Sequence, residues 1–167
     1  MEASAMVHQA CTAGHLVFCC LKQWIRLRYP AVASIEAEQL ERILAGDEAV
    51  DWLILDARTP AEFAFSHLGG AALVEADGLM AVVGSITTLP RDRPIVVCCS
   101  VGVRSAARVD QLRRAGFSRT FNLEGGLFQW VRDGRSLLRH GEPTLLVHPY
   151  NCLWGRLLTA KNRGREG

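Results

Sequence analysis

Pro94-Ile95-Val96-Val97-Cys98-Cys99-Ser100-Val101-Gly102-Val103-Arg104-Ser105 is the stretch whose reading decides the fold. Its apolar start, Ile95-Val96-Val97, is the kind of run that a strand buried on both faces requires. The residues after it, Ala106 to Arg114, read as a helix that ends at Gly116. Between strand and helix lies a short loop that opens with cysteine and closes with arginine. Such a loop aims several backbone N–H groups at one spot, and the helix dipole favours negative charge there. A cysteine placed at that spot gains thiolate character. The plainer explanation is a pair of buried cysteines closing a core strand, since free cysteine is among the most buried residue types. Gly102, Arg104 and Ser105, in their positions, favour the reactive reading.

The chain on either side alternates strand and helix signals. Ala33-Ser34-Ile35 is a short strand candidate, and Ala37–Leu44 a helix with Leu40, Ile43 and Leu44 on one face. Trp52-Leu53-Ile54-Leu55 is a buried strand that ends in Asp56. Thr59-Pro60-Ala61-Glu62 has the pattern of an N-cap, a proline at N1 and an acidic first turn. Gly69-Gly70 turns the chain into Ala71–Val74, another short strand. Leu79–Val83 reads as helical and Leu89–Arg93 as a polar loop. Thr120–Leu123 is a strand, Gly125-Gly126 a turn, and Leu127–Arg132 a helix closed by Gly134. Alternation of this kind predicts an α/β fold with a parallel sheet flanked by helices. Ligands of such sheets sit beyond the carboxyl ends of the strands, where Cys99 falls.

The chain has 167 residues, enough for one domain with a sizeable core and extensions. Its net charge of +2 gives no sign of a nucleic-acid partner. The six cysteines stand at 11, 19, 20, 98, 99 and 152, with no C-x-x-C pair among them. That spacing fits neither a disulfide framework nor a zinc ribbon, so free thiols in a reducing, cytoplasmic compartment are expected. Ala10–Leu21 lacks the basic start of a secretory signal. Residues 4 to 28 are instead expected to form a helix that packs on the domain and stops at Pro30. Peripheral membrane contact by this helix is the less favoured alternative, suggested by Trp24, Arg26, Arg28 and Tyr29 at its end. His8, Cys11, His15 and Cys19 recur at helical spacing, but a helix face of small and polar residues explains them better than a metal site. No metal and no cofactor are expected.

Five segments in order make the sequence resemble the rhodanese family of single-domain sulfurtransferases. They are Leu55-Asp56-Ala57-Arg58 with Glu62-Phe63; His67-Leu68-Gly69-Gly70-Ala71; Ile95–Cys99 followed by Ser100–Ser105; Phe117; and Asn122-Leu123-Glu124-Gly125-Gly126 with Trp130. Gly69 replaces a proline usual in the family. The resemblance covers roughly residues 31 to 135, and with the sequence pattern it gives a rhodanese domain over 31–140, an N-terminal helical extension over 1–30, and a C-terminal extension over 141–167 whose end, Lys161–Gly167, is expected to be a basic, frayed tail. It also implies that Cys99 takes sulfane sulfur from a small-molecule donor, thiosulfate or a persulfide. Cys99 then holds the sulfur as a persulfide and passes it to a thiol or cyanide acceptor. The N–H groups of Ser100, Val101, Gly102, Val103 and Arg104 are expected to hold the terminal sulfur. Arg58 is expected either to attract an anionic donor or to pair with Glu62 at i, i+4. Asp56 and His67 look structural, and Trp130 looks like core. No chemistry attaches to His148-Pro149-Tyr150-Asn151.

Two other functions compete with this reading. Cysteine phosphatases use a C-x5-R loop. Four residues separate Cys99 from Arg104, but five separate Cys98 from Arg104. Gly102 lies two before the arginine rather than three, and Val97-Cys98 lacks the usual histidine, so sulfur transfer is preferred. The other alternative is a non-catalytic rhodanese module that only binds. Such modules usually lack the cysteine that this chain has. Apolar Val101 and Val103 lead to a further expectation, that a persulfide donor is preferred over thiosulfate.

Overall fold

The computed structural model describes residues 13–46, 51–74 and 89–164. Five strands form one wholly parallel sheet: β1 (Ala33–Ile35), β2 (Leu53–Asp56), β3 (Ala72–Leu73), β4 (Ile95–Cys98) and β5 (Thr120–Leu123). Their order across the sheet is β1-β5-β4-β2-β3, so the strand before the cysteine loop is the central one. The helices are α1 (Ala13–Arg28), α2 (Ala37–Ala45), α3 (Pro60–Phe65), α4 (Val103–Arg114) and α5 (Gly126–Arg132).

All four residues of β4 are buried, as its unbroken apolar run requires. Its side chains alternate between the sheet faces. Val96 and Cys98 join Phe18 of α1, Leu40 of α2 and Leu127, Phe128 and Val131 of α5. Ile95, Val97 and then Cys99 join Val109 and Leu112 of α4 and Phe117. In register, Asp56 lies opposite Cys98 and Asn122 opposite Val97. Polar side chains of three adjacent strands therefore meet at one carboxyl edge.

Local sequence explains the helix ends. Thr59 caps α3, accepting from the Glu62 N–H while Glu62 accepts from the Thr59 N–H, a complete capping box with Pro60 at N1. The helix after the cysteine loop begins at Val103, three residues earlier than its apolar pattern suggests. The second strand is shifted by one residue from the expected Trp52–Leu55, and Leu79–Val83 lies outside the described residues.

Of the helix expected over residues 4–28, residues 4–12 lie outside the described residues; the described part packs on the domain, with Phe18 and Ile25 buried and Lys22 and Arg26 paired with Glu124 at 3.0 and 3.3 Å. No helix among the described residues is long and apolar enough to cross a membrane.

The C-terminal extension departs from expectation. A hairpin of β6 (Leu137–Arg139) and β7 (Glu142–Thr144) follows α5, and Leu138 exchanges backbone hydrogen bonds with His67 at 3.0 and 2.7 Å. Residues 161–164 are not a frayed tail. Asn162 is fully buried and donates to the carbonyls of Val131 and Leu145, both at 3.1 Å. The Gly164 N–H donates to Val147 O, and the glycine packs against the Phe65 ring. These anchors are backbone carbonyls, which carry no sequence signal.

Candidate active site

Cys99 is the first residue past β4 and is 1% exposed. Its Sγ receives the Gly102 N–H at 3.2 Å and lies 3.3 Å from the Ser105 hydroxyl. Gly102 is the N-cap of the 12-residue helix α4 and has φ of 93°, a left-handed conformation that glycine adopts without strain. The sulfur thus sits over a helix N-terminus, against an N–H donor. Of the N–H groups expected from Ser100 to Arg104, that of Gly102 is the one within hydrogen-bonding reach of Sγ.

Ser105 adds a donor of a different kind. Its hydroxyl also lies 2.6 Å from Asn122 Oδ1. A hydroxyl has one proton, so Ser105 serves either Asn122 or the sulfur. It can turn toward the sulfur when the thiol ionises.

The loop is held from both sides. From below, α5 gives two of its first N–H groups to it: Leu127 to Cys99 O at 2.8 Å and Phe128 to Ser100 O at 2.9 Å. Gly126, with φ of 61°, is pressed so close to the Cys99–Ser100 peptide that a Cβ there would collide with it. From the side, Glu62 accepts from Arg104 Nη1 and Nη2, both at 2.8 Å, and from Ser100 Oγ at 2.7 Å. Burial pushes the Glu62 carboxyl up. Hydrogen bonds from Arg104, the Thr59 backbone and Ser100 outweigh it and hold the carboxyl at about 2.

Arg58 corrects both readings of that residue. Its side chain is wholly buried and forms a bidentate pair with Asp56 at 2.7–3.1 Å, with a further bond to Ser66 O at 2.6 Å. It pairs with neither Glu62 nor open space, so it does not line a substrate path. The cause is local: the Arg58 N–H also bonds Asp56 Oδ1 at 3.0 Å, folding the chain back on the aspartate. Arg104, 46 positions away from Arg58, takes Glu62 instead.

Cys98 points into the opposite core and is 0% exposed. Burial first, then the nearby Asp56 charge, push its thiol well above the ordinary cysteine value. It is a core thiol, closed off from the cavity above Cys99. His67 stacks on Phe63 and its Nδ1 lies 3.0 Å from Phe63 O, and Trp130 is buried with its indole N–H on Ser136 O; both are structural, as read from the sequence. His15 and Cys19 lie 3.6 Å apart on α1, while His8 and Cys11 lie outside the described residues. Among the described residues no group of three or more ligating side chains stands together as a metal site.

Above Cys99 opens a cavity of about 170 Å³, lined by Cys99, Ser100, Val101, Val103, Arg104, Tyr150 and Trp154. Five of these were expected. Tyr150 and Trp154 were not, because they arrive from the C-terminal extension, some 50 residues along the chain. Ser105 was read as part of the reactive loop without a role, while Asn122 and Glu62 were not expected as parts of the site. Glu62 was visible as an acidic first-turn residue, but its long-range partner was not.

The rhodanese-like domain family matches residues 36–133, more than half of the chain and all of the loop just described. The chain belongs to this family. A sulfurtransferase of Allochromatium vinosum is 34% identical over 103 residues, which cover 62% of this chain and 92% of that protein. A probable adenylyltransferase/sulfurtransferase of Mycobacterium tuberculosis, MoeZ, is 35% identical over 93 residues. That match covers 52% of this chain but spans only about a quarter (24%) of MoeZ. Among solved structures, a rhodanese-related protein of Thermoplasma volcanium is 27% identical and superposes with a TM-score of 0.53. The superposition covers 64% of this chain and 97% of that one. Its rhodanese-like sheet and flanking helices are therefore a family property, as the sequence resemblance implied.

Proposed function

We propose that this protein is a rhodanese-type sulfurtransferase in which Cys99 carries the sulfur. The observation that carries the reading is the position of the Cys99 sulfur, 3.2 Å from the Gly102 N–H at the start of α4. In the first step the Cys99 thiolate attacks the outer sulfur of a donor RS–S⁻. The donor S–S bond breaks, a Cys99–S bond forms, and RS⁻ leaves with the electron pair. In the second step an acceptor thiolate or cyanide attacks the terminal sulfur and the Cys99 thiolate leaves. Cys99 is the leaving group then, so whatever stabilises its thiolate serves both steps. No general base is needed once the thiol is ionised.

An organic persulfide is the favoured donor. Thiosulfate is a dianion, and both arginines that might have met it are already paired, Arg58 with Asp56 and Arg104 with Glu62. Desolvating a dianion against an apolar wall is costly without such partners. The pairing of Arg104 also weighs against a phosphatase, which needs its loop arginine for the phosphate. So does the burial of Cys98, the cysteine with phosphatase spacing. We place the protein in the cytoplasm, because its chemistry requires a reduced Cys99 and the described cysteines are all free. The test is mass spectrometry of the intact protein after a persulfide donor. A gain of about 32 Da on the Cys99 peptide, lost again on adding thiol or cyanide, is expected. An unmodified Cys99 would overturn the proposal and favour a binding module.

A further inference from the structure

Pro149 to Trp154 form a rigid turn at the mouth of the cysteine cavity. Tyr150 has φ of 64°, an uncommon conformation for a bulky residue, and its N–H is bonded to His148 Nδ1 at 3.0 Å. Asn151 Oδ1 accepts from the N–H groups of Leu153 and Trp154 at 3.1 and 3.0 Å. Gly155 donates to Asn151 O at 2.9 Å, and a Cβ there would meet Pro149 Cβ at 2.9 Å. The turn is thus fixed at both ends. A strained backbone held by several bonds is frequent where a chain places a side chain for recognition.

What the turn places is apolar. The Tyr150 ring lies 4.7 Å from the Arg104 guanidinium carbon. Glu62 occupies the guanidinium edge and Tyr150 its face, so this charge is used up within the protein. Tyr150 is 46% exposed, while Trp154 is partly buried beside it. Together with Val101 and Val103 they surround the approach to a sulfur that is itself almost wholly covered. A reacting sulfur must enter this space attached to something, and the walls offer carbon.

We infer that Tyr150 and Trp154 are specificity-determining residues that grip the carbon group next to the reacting sulfur. The substrate class is a low-molecular-weight organic persulfide with an alkyl or benzyl substituent. This rests on the sulfur-transfer reading for its substrate, but the grip itself does not depend on it.

The test therefore uses Cys99 without sulfur transfer. Methyl, ethyl, propyl and butyl methanethiosulfonates react with a thiolate to form Cys–S–S–R and expel methanesulfinate. Their second-order rates at Cys99 are followed by peptide mapping of the full chain. In the wild type the rate should rise along the series, by up to about fourfold per CH₂ at full burial, which is about 0.8 kcal/mol per methylene. Tyr150→Ala and Trp154→Ala should flatten the series. Tyr150→Phe, which keeps the ring, should preserve it and guards against a folding artefact. A flat series in the wild type, or an unchanged slope in both alanine variants, would overturn the inference. A steep series with no persulfide ever formed on Cys99 would uphold the grip and sink the sulfur-transfer reading instead.

Discussion

Arg104 gives both terminal guanidinium nitrogens to Glu62, each at 2.8 Å, so at the wall of the cavity its charge is already met by a carboxylate. The arginine that closes the loop is a strut. Glu62 is 1% exposed, so the ion pair is shielded on the carboxylate side and open on the other, where the Arg104 side chain is 32% exposed. Burial opposes the charge on Arg104, but the Glu62 hydrogen bonds reverse this and raise its pKa above the usual guanidinium value.

Glu62→Gln should therefore cost stability. The change leaves a half-buried guanidinium without its counter-charge and weakens the Ser100 contact. A loss of about 2–3 kcal/mol is expected, below the 3–5 typical of a fully buried pair because Arg104 is partly in water. Urea unfolding measures it. A change under about 0.5 kcal/mol, the range of ordinary surface substitutions, would mean that the strut carries nothing.

The same carboxylate predicts a pH dependence. Its folded pKa, about 2, lies below the ordinary 4.5, so Glu62 contributes stability above pH 4.5 that is lost as pH falls toward 2. The full contribution is on the order of 3 kcal/mol. Urea midpoints between pH 6 and pH 2.5 should fall in the wild type and fall less in Glu62→Gln. Parallel curves would contradict the assignment.

Adjacent cysteines should behave as opposites. Cys99→Ser should abolish sulfur loading and leave the fold intact. Cys98→Ser should keep most activity, while losing about 1–3 kcal/mol by placing a hydroxyl in an apolar core. Loading assays and thermal melts on the two variants separate these effects. Reversed activities would shift the reactive loop by one residue.

Ser105→Ala should slow iodoacetamide alkylation of Cys99 by roughly ten- to a hundredfold, because a hydrogen bond to a charged sulfur is worth about 1.5–3 kcal/mol. An unchanged alkylation rate would mean that Ser105 spends its proton on Asn122 throughout.

Gly126→Ala should be among the most damaging single-methyl changes in the chain. It combines a left-handed backbone with a collision against the Cys99–Ser100 peptide. A loss of about 2–4 kcal/mol and displacement of the cysteine loop are expected. A variant of native stability would show that the loop can retreat.

The sheet was legible because β4 and its neighbours are short apolar runs between strong turn signals. The Thr59–Glu62 cap was legible because its residues are three apart. Cys99 and Gly102 were legible because loop and helix are continuous in sequence. What escaped was one short-range pairing, that of Arg58 with Asp56, and whatever reaches across the fold. Arg58 offers an i, i+4 partner in Glu62, and local spacing gives no hint that Asp56 will take it first. Tyr150 and Trp154 reach the cavity through a hairpin and a turn with no hydrophobic period, held by backbone carbonyls and by the side chain of Asn162.

Cys98 and Cys99 sit on opposite faces of the sheet, and on the proposed sulfur-transfer reading this sets how long a loaded sulfur lasts. In many redox proteins a second thiol near the first displaces its oxidised adduct within the same molecule. Here the neighbouring thiol is sealed in the other core with its proton held on. Under the proposed transfer, a sulfur parked on Cys99 would have no exit through its sequence neighbour. It would wait for an acceptor able to enter the cavity, and the lifetime of the charged enzyme would then measure how often that acceptor comes.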